Sequence, residues 1–363
     1  MSGHSGLDKK GEKEFNMNLE SERMKLIVTG GAGFIGSNFI RYWLEKYQED
    51  KVCNFDALTY AGNLDSLTDV AAKYRKRYQF VKGDIADFDV VDKTIKGFKP
   101  DVVVNFAAES HNSWAVINPS IFFKTNVVGT QTLLEACRQN NVSRFHHIST
   151  CEVYGDLPLD SDESFSESSS LRPRTPYNAS KAGSDLAVRA YWETYHLPVT
   201  TTNCSNNYGP YQFPEKLIPL FVTNLMDKQQ VPVYTSSQNR REWLYVMDHC
   251  RAVDLVIQKG RIGETYNVGS GVEKSVEEIT DIILDELKQP ASMKKYVQDR
   301  PGHDRRYLLN STKIREELGW KPEIEFEEGI RQTIRWYQDR KDWWIPLKKR
   351  LQIAEADWDS KKK

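Results

Sequence analysis

Between Leu26 and Ile40 the chain reads LIVTGGAGFIGSNFI: an apolar run of strand length, glycines at 30, 33 and 36, then an apolar pattern of helical period. Few arrangements restrict a fold so tightly. Gly30 allows the sharp turn out of the strand, Gly33 lets backbone approach a ligand, and Gly36 permits close packing of helix on strand, with Phe34 and Ile35 completing the first helical turn. The start of such a helix presents unpaired N–H groups to a pyrophosphate. Glycine spacing alone is weak evidence, but here a strand precedes, a helix follows, and an acid stands further on. That acid, Asp56, ends the strand VCNFDA, where a carboxylate accepts from both ribose hydroxyls and repels a 2′-phosphate. The cofactor pattern therefore favours NAD over NADP.

The same rhythm continues downstream. YQFVKGDI, DVVVNFAA and RFHHIST read as strands, and VDKTIKGF and VGTQTLLEACRQNN as helices between them. Alternation of this kind specifies an α/β chain, a Rossmann-type doubly wound parallel sheet with helices on both faces. Asp84 with Ile85, and Ala107 with Ala108, fall at strand ends where adenine and ribose would lie. After residue 203 the alternation breaks in NCSNNYGPYQFPEKLIP, and a smaller α/β lobe is expected. The expected division is a leader over 1–23, a dinucleotide-binding domain over 24–203 with 243–262 returning to it, a substrate lobe over 204–242 and 263–350, and a charged tail over 351–363.

Charge is balanced, with 50 basic and 51 acidic residues, so no nucleic-acid or membrane surface is indicated. Five cysteines lie far apart with no Cys-x-x-Cys pair, and no apolar signal segment precedes them, which points to reduced thiols in a cytoplasm. The spacing of His111, His146 and His147 makes no metal site.

PYNASKAGSD carries Tyr177 and Lys181 at i, i+4, on one face of a helix. An ammonium beside a phenol favours phenolate, so Tyr177 can take a hydroxyl proton near neutral pH. The strand before it ends in Ser149 and Thr150, followed by Cys151 and Glu152.

These segments, together with NFDALTYAGNL, NFAAESH, STCEVYGD, CSNNYGPYQFPEKLIPL and RPGHDRRY, resemble the extended short-chain dehydrogenase/reductase family, most closely its dTDP-glucose 4,6-dehydratases, from about residue 24 to about 345. The resemblance implies a lyase using NAD catalytically: oxidation at sugar C4 with Tyr177, Lys181 and Thr150, loss of water across C5–C6 with Glu152 as base, and hydride return to C6, giving a 4-keto-6-deoxy sugar nucleotide. It also implies that Ser110, Asn206, Glu215, Lys216, Arg241, Asn267, His303 and Tyr307 lie near the nucleotide sugar, with Arg241 on its pyrophosphate. The helices TQTLLEACRQNN and SKAGSDLAVRAYWETYH resemble those of the family's dimer interface, so a homodimer is expected.

Three departures from the family pattern stand out. Cys151 replaces the Asp that protonates the departing C6 hydroxyl; Ser113 and Trp114 replace an Asp–Arg pair; and Thr235 and Ser237 replace glycines in the loop after Pro232 and Tyr234, near the expected base site. A thiol with a pKa near ~8.5 has a proton to give but is a weak hydrogen-bond donor. Cys151 is thus either a substitute acid or a small apolar filler beside a Glu152 that works alone. Alternatives on the same scaffold are a 5,6-dehydratase, a 4-epimerase, or a binding protein impaired in catalysis.

Overall fold

The computed structural model describes residues 23–350; the expected leader, apart from Arg23, and the expected tail lie outside the described residues. Twelve strands are present among them: β1 Lys25–Thr29, β2 Lys51–Asp56, β3 Tyr78–Lys82, β4 Val102–Asn105, β5 Arg144–Thr150, β6 Val199–Cys204, β7 Asn206–Tyr208, β8 Val231–Tyr234, β9 Arg240–Tyr245, β10 Thr265–Val268, β11 Glu273–Ser275 and β12 Lys294–Val297. Seven form one sheet in the order β10-β6-β5-β4-β1-β2-β3, and every pairing in it is parallel. Strand order reverses between β1 and β4, and open α/β sheets bind ligands in the crevice at such a switch point.

Both faces of the sheet are covered, which is why its central strands are near-continuous apolar runs. Leu26 and Val28 point into a core with Phe39, Trp43, Val253 and Ile257, whereas Ile27 between them points to the opposite core with Val91, Ile95, Leu133 and Phe145. Each such side chain removed from water contributes about 1.5–3 kcal/mol. Most polar residues inside the sheet are paired, although Asn54 Oδ1 and Asn203 Oδ1 are buried with no hydrogen-bond partner among the described residues. His146 meets the hydroxyls of Thr200 (2.9 Å) and Thr202 (3.3 Å), and His147 meets Asn105 (3.3 Å) and Ser184 (3.1 Å).

The remaining strands build β7-β9-β11 and the parallel pair β8-β12. With helices Leu217–Met226, Val276–Glu286, Phe326–Asp339 and Lys341–Arg350, they enclose a second apolar core that includes Tyr208, Phe221, Trp243, Ile279, Ile330 and Trp344. Ser275 and Glu278 start one of these helices with a reciprocal capping box.

Two expected boundaries move. Strand β10, assigned from sequence to the smaller lobe, is the edge strand of the large sheet beside β6, with Asn267 opposite Asn203. Its four residues are too short to announce their sheet, and the pairing across 64 positions is decided by packing. The segment returning to the large sheet begins at helix Val246–Lys259, which lies against Phe39 and Trp43, while Trp243 to Tyr245 stay in β9 of the small sheet.

Candidate active site

A cleft of about 390 Å³ opens at the switch point, and the glycine turn forms one wall. Gly30 has φ of +66°, and a Cβ there would stand 2.6 Å from the Ala107 nitrogen; one on Gly36 would stand 2.4 Å from the Gly30 carbonyl oxygen. The backbone is thus packed to a density only glycine permits. Helix Phe34–Lys46 starts at Gly33 without a side-chain cap and without an acid in its first turn, leaving its opening amides to an anion. Phe34, Ile35 and Gly36 line the cleft. So do Asp84, Ile85, Ala107 and Ala108.

Asp56 sits at the end of β2 and binds the turn itself. Its oxygens accept from the amides of Ala32 (2.9 Å) and Leu58 (2.7 Å), which fixes the carboxylate at the rim. Burial pushes its carboxyl above the ordinary range while those amides pull it back. A cradle of glycine backbone, a free helix start and a fixed carboxylate suit a dinucleotide.

The opposite wall carries acid–base groups. β5 delivers Thr150 at its end, and helix Pro176–Tyr195, capped by Thr175, delivers Tyr177 and Lys181 to the same place. Tyr177 and Thr150 share this wall, and the Tyr177 ring stands edge-on to Phe122 at 6.3 Å. Lys181 is buried and donates to the Ile148 carbonyl at 2.7 Å. Burial pushes the Tyr177 phenol well above its ordinary value, with Glu152, Cys204 and Cys151 adding to the rise and Thr150 opposing it. Lys181 is not among the largest contributions to that rise, and its ammonium donates to a carbonyl. Burial lowers the lysine's own value.

Glu152 lines the cleft beside Thr150, and its Oε2 accepts from Asn112 at 3.0 Å. Burial raises its carboxyl; Asn112, Arg300 and Arg241 act downward and Asp304 upward. Cys151, its neighbour, faces away. It is 1% exposed, packs with Val153, Tyr154, Ala182, Tyr307 and Leu309, and is absent from the cleft wall. Burial pushes its thiol well above the ordinary value. Of the sequence alternatives for Cys151, the geometry matches the apolar filler.

The expected sugar-nucleotide residues divide into two groups. Ser110, Asn206, Glu215 and Lys216 line the cleft. Lys216 donates to the Ser110 carbonyl (2.8 Å), Glu215 accepts from Tyr60 (2.9 Å), and Asn206 Oδ1 is buried with no hydrogen-bond partner among the described residues. Arg241, Asn267, His303 and Tyr307 are not in the wall of this cleft. The Arg241 guanidinium lies over the Tyr307 ring at 4.7 Å and donates to the carbonyls of Arg240 (2.7 Å) and Asp304 (2.8 Å), bracing the backbone there. Asn267 is fully buried and joins Tyr154 (2.9 Å) to the Phe165 carbonyl (3.0 Å). Tyr307 donates to Asp304, and His303 meets Asp299 at 2.8 Å while lining a separate surface pocket with Arg174 and Arg305.

Sequence reasoning did not single out Arg300, which like Arg241 is not in the wall of this cleft. Its Nη1 is buried with no hydrogen-bond partner among the described residues, and its charge acts on His111, Glu152, Tyr234 and His303. A guanidinium surrounded this way is a ready partner for a phosphate. The signal lay in RPGHDRRY, where the first arginine was passed over for the residues that follow. Among the described residues no cluster of His, Cys, Asp or Glu could hold a metal, and no helix is long and apolar enough to cross a membrane.

This sheet, cleft and Thr–Tyr–Lys wall define an extended short-chain dehydrogenase/reductase. Residues 27–333 match the GDP-mannose 4,6 dehydratase family, and the chain belongs to that family. It is 48% identical over 329 residues to a dTDP-glucose 4,6-dehydratase of Streptomyces niveus, covering 90% of this chain and 96% of the relative. A dTDP-glucose 4,6-dehydratase of Streptomyces venezuelae, solved with NAD bound, is 49% identical with a TM-score of 0.86 over 89% of this chain and all of that one. A UDP-glucose 4-epimerase of Thermotoga maritima shares the fold at 26% identity and a TM-score of 0.80, over 87% of this chain and 99% of that one.

Proposed function

We propose that the protein is an NAD-dependent nucleotide-sugar 4,6-dehydratase whose substrate is a dTDP-hexose, dTDP-glucose first among them. The observation that carries this reading is the meeting of Thr150, Glu152, Tyr177 and Lys181 on one wall of the dinucleotide cleft. Oxidation alone would need the Tyr–Lys pair; a cleft carboxylate beside it serves an elimination.

Gly30, Gly33 and the amides opening helix Phe34–Lys46 hold the cofactor's pyrophosphate, and Asp56 its ribose. NAD, when bound, accepts a hydride from sugar C4 and returns it to C6, so it is not consumed. Tyr177 takes the proton of the 4-hydroxyl, with Thr150 on the same wall and Lys181 one helical turn further along. The resulting ketone acidifies C5, and Glu152 removes that proton as water leaves C6. Arg300 and Lys216 offer the cationic groups for the diphosphate.

A homodimer is part of this reading. Ile121, Phe123, Val128 and Leu186 are exposed apolar side chains on the adjoining segments Pro119–Gly129 and Pro176–Tyr195. Such a patch suits a second copy. A cytoplasmic location accords with five buried, unpaired cysteines. We read the chain as two lobes, the large sheet for the cofactor and the smaller core for the nucleotide sugar.

The test is a proton NMR time course of the protein with NAD and dTDP-glucose in deuterated water. A 6-methyl signal with deuterium at C5 is expected, and Tyr177→Phe should slow it by about 10²–10⁴-fold. Vinyl signals, a shifted C4 proton without loss of water, or no turnover would overturn the reading.

A further inference from the structure

Elimination of water needs an acid for the departing C6 oxygen, and the side chain next to Glu152 is out of reach of the cleft. Cys151 is packed among apolar neighbours; of the acidic residues that line the cleft, Asp56, Asp84, Glu109, Glu152 and Glu215, it is Glu152 that lies in the turn directly after Thr150. One carboxylate must then both take the C5 proton and give it up.

Asn112 is built to make that possible. It opens the short helix Asn112–Ile117, and its Nδ2 donates to Glu152 Oε2 at 3.0 Å while its Oδ1 accepts from Thr175 Oγ1 at 2.9 Å. Thr175 in turn accepts from the Asn178 amide at 3.1 Å as the cap of the helix bearing Tyr177 and Lys181. A carboxylate can only accept, so the amide's NH₂ must face Glu152 and its carbonyl must face the threonine. Two segments far apart in the chain, at Asn112 and at Thr175, are thereby locked to one carboxylate. Glu152 Oε1 has no hydrogen-bond partner among the described residues.

Resting on the 4,6-dehydratase reading above, we infer that Asn112 is a positioning residue that makes Glu152 a one-carboxylate acid–base for syn elimination. The amide can donate to Oε2 whether the carboxyl is ionised or carries its proton on Oε1. Oε2 is thus held as an acceptor throughout, and the mobile proton is confined to Oε1. In the step itself the C5–H bond breaks and its proton goes to Oε1. The electron pair becomes the C5–C6 double bond as the C6–O bond breaks. The leaving oxygen takes the proton from Oε1 and departs as water, and Glu152 is a carboxylate again. Cys151 has no part in this.

The experiment uses the full-length protein loaded with NAD, mixed rapidly with dTDP-glucose. Near-ultraviolet absorbance of reduced nicotinamide follows oxidation, and NMR follows exchange at C5 and loss of water. In Asn112→Val, oxidation should stay within about threefold of wild type while elimination slows about 100-fold, as expected for a misplaced catalytic group. Reduced cofactor and the 4-keto hexose should then accumulate. Asn112→Asp keeps the shape and the acceptor for Thr175 but loses the donor, so it should show the same split and serves if Asn112→Val does not fold. Equal slowing of both steps, or wild-type elimination in both variants, overturns the inference while leaving the reading intact. A wild-type protein that makes no 6-deoxy product overturns the reading and the inference with it.

Discussion

Cys151 illustrates what one buried atom decides. With its sulfur among Val153, Tyr154, Tyr307 and Leu309, the thiol contributes packing. Cys151→Ala should therefore turn over substrate within about threefold of wild type and melt lower, by about 1–2 kcal/mol for the small cavity left behind. Cys151→Ser should be the less stable of the two, because its hydroxyl enters an apolar cluster and costs about 1–3 kcal/mol if it finds no partner. Denaturant melts alongside the NMR assay separate these outcomes, and loss of elimination without loss of stability would return Cys151 to the chemistry. Tyr177 and Lys181 are a different case. Their spacing and shared face were plain in the sequence, but the lysine's attachment to the Ile148 carbonyl was not, since it depends on the end of β5 arriving alongside the helix.

In the proposed reading, the turn between β1 and helix Phe34–Lys46 is the element on which cofactor binding rests. A Cβ at residue 36 would meet the Gly30 oxygen at 2.4 Å and the Gly31 Cα at 2.8 Å, both backbone and unable to swing aside. Gly36→Ala should push the helix off the strand and raise the dissociation constant for NAD at least about tenfold. The check is a binding titration with a thermal melt, because a ligand that binds only the native state raises Tm by mass action, and that rise should shrink in the variant. An unchanged Tm gain on adding NAD would show that the turn tolerates the methyl group. The π-helical turn Phe123–Gly129 is a second local device: π-turns favour functional sites, and this one sends Lys124 and Thr125 to the cleft while Asn126 bonds Ser180 at 2.8 Å. FKTNVVG is too short for the phase shift of one extra residue to stand out from an ordinary helix.

At the scale of the whole molecule, the cleft is lined both by strand ends of the large sheet and by the segment Cys204 to Lys216 that follows β6. Leu186 is 58% exposed in the middle of helix Pro176–Tyr195, although residues around it on the same helix are buried. Leu186→Arg, and more strongly Phe123→Glu with Leu186→Arg, should give monomers with little loss of monomer stability, because neither side chain is in the core. Sedimentation velocity at working concentration reads this directly, and a wild-type monomer would sink the homodimer.

The glycine turn, the alternation of strand and helix, Asp56 and the Tyr177–Lys181 pair could be read from sequence because each rests on local spacing or on a period that a short window contains. They were enough to determine the sheet, its cofactor end and the helix that faces it. What tertiary structure decided are contacts with no local signature. β10 joined the large sheet because β6 offered an unpaired edge. Arg241, Asn267 and Tyr307 were spent on neighbouring backbone and side chains, while Arg300 was left with a free buried nitrogen. Cys151 turned into a core and Glu152 into the cleft, one residue apart, because the short 3₁₀ turn Cys151–Tyr154 points successive side chains in different directions. The amide of Asn112, 40 residues before Glu152, reaches it only because two helix starts meet there.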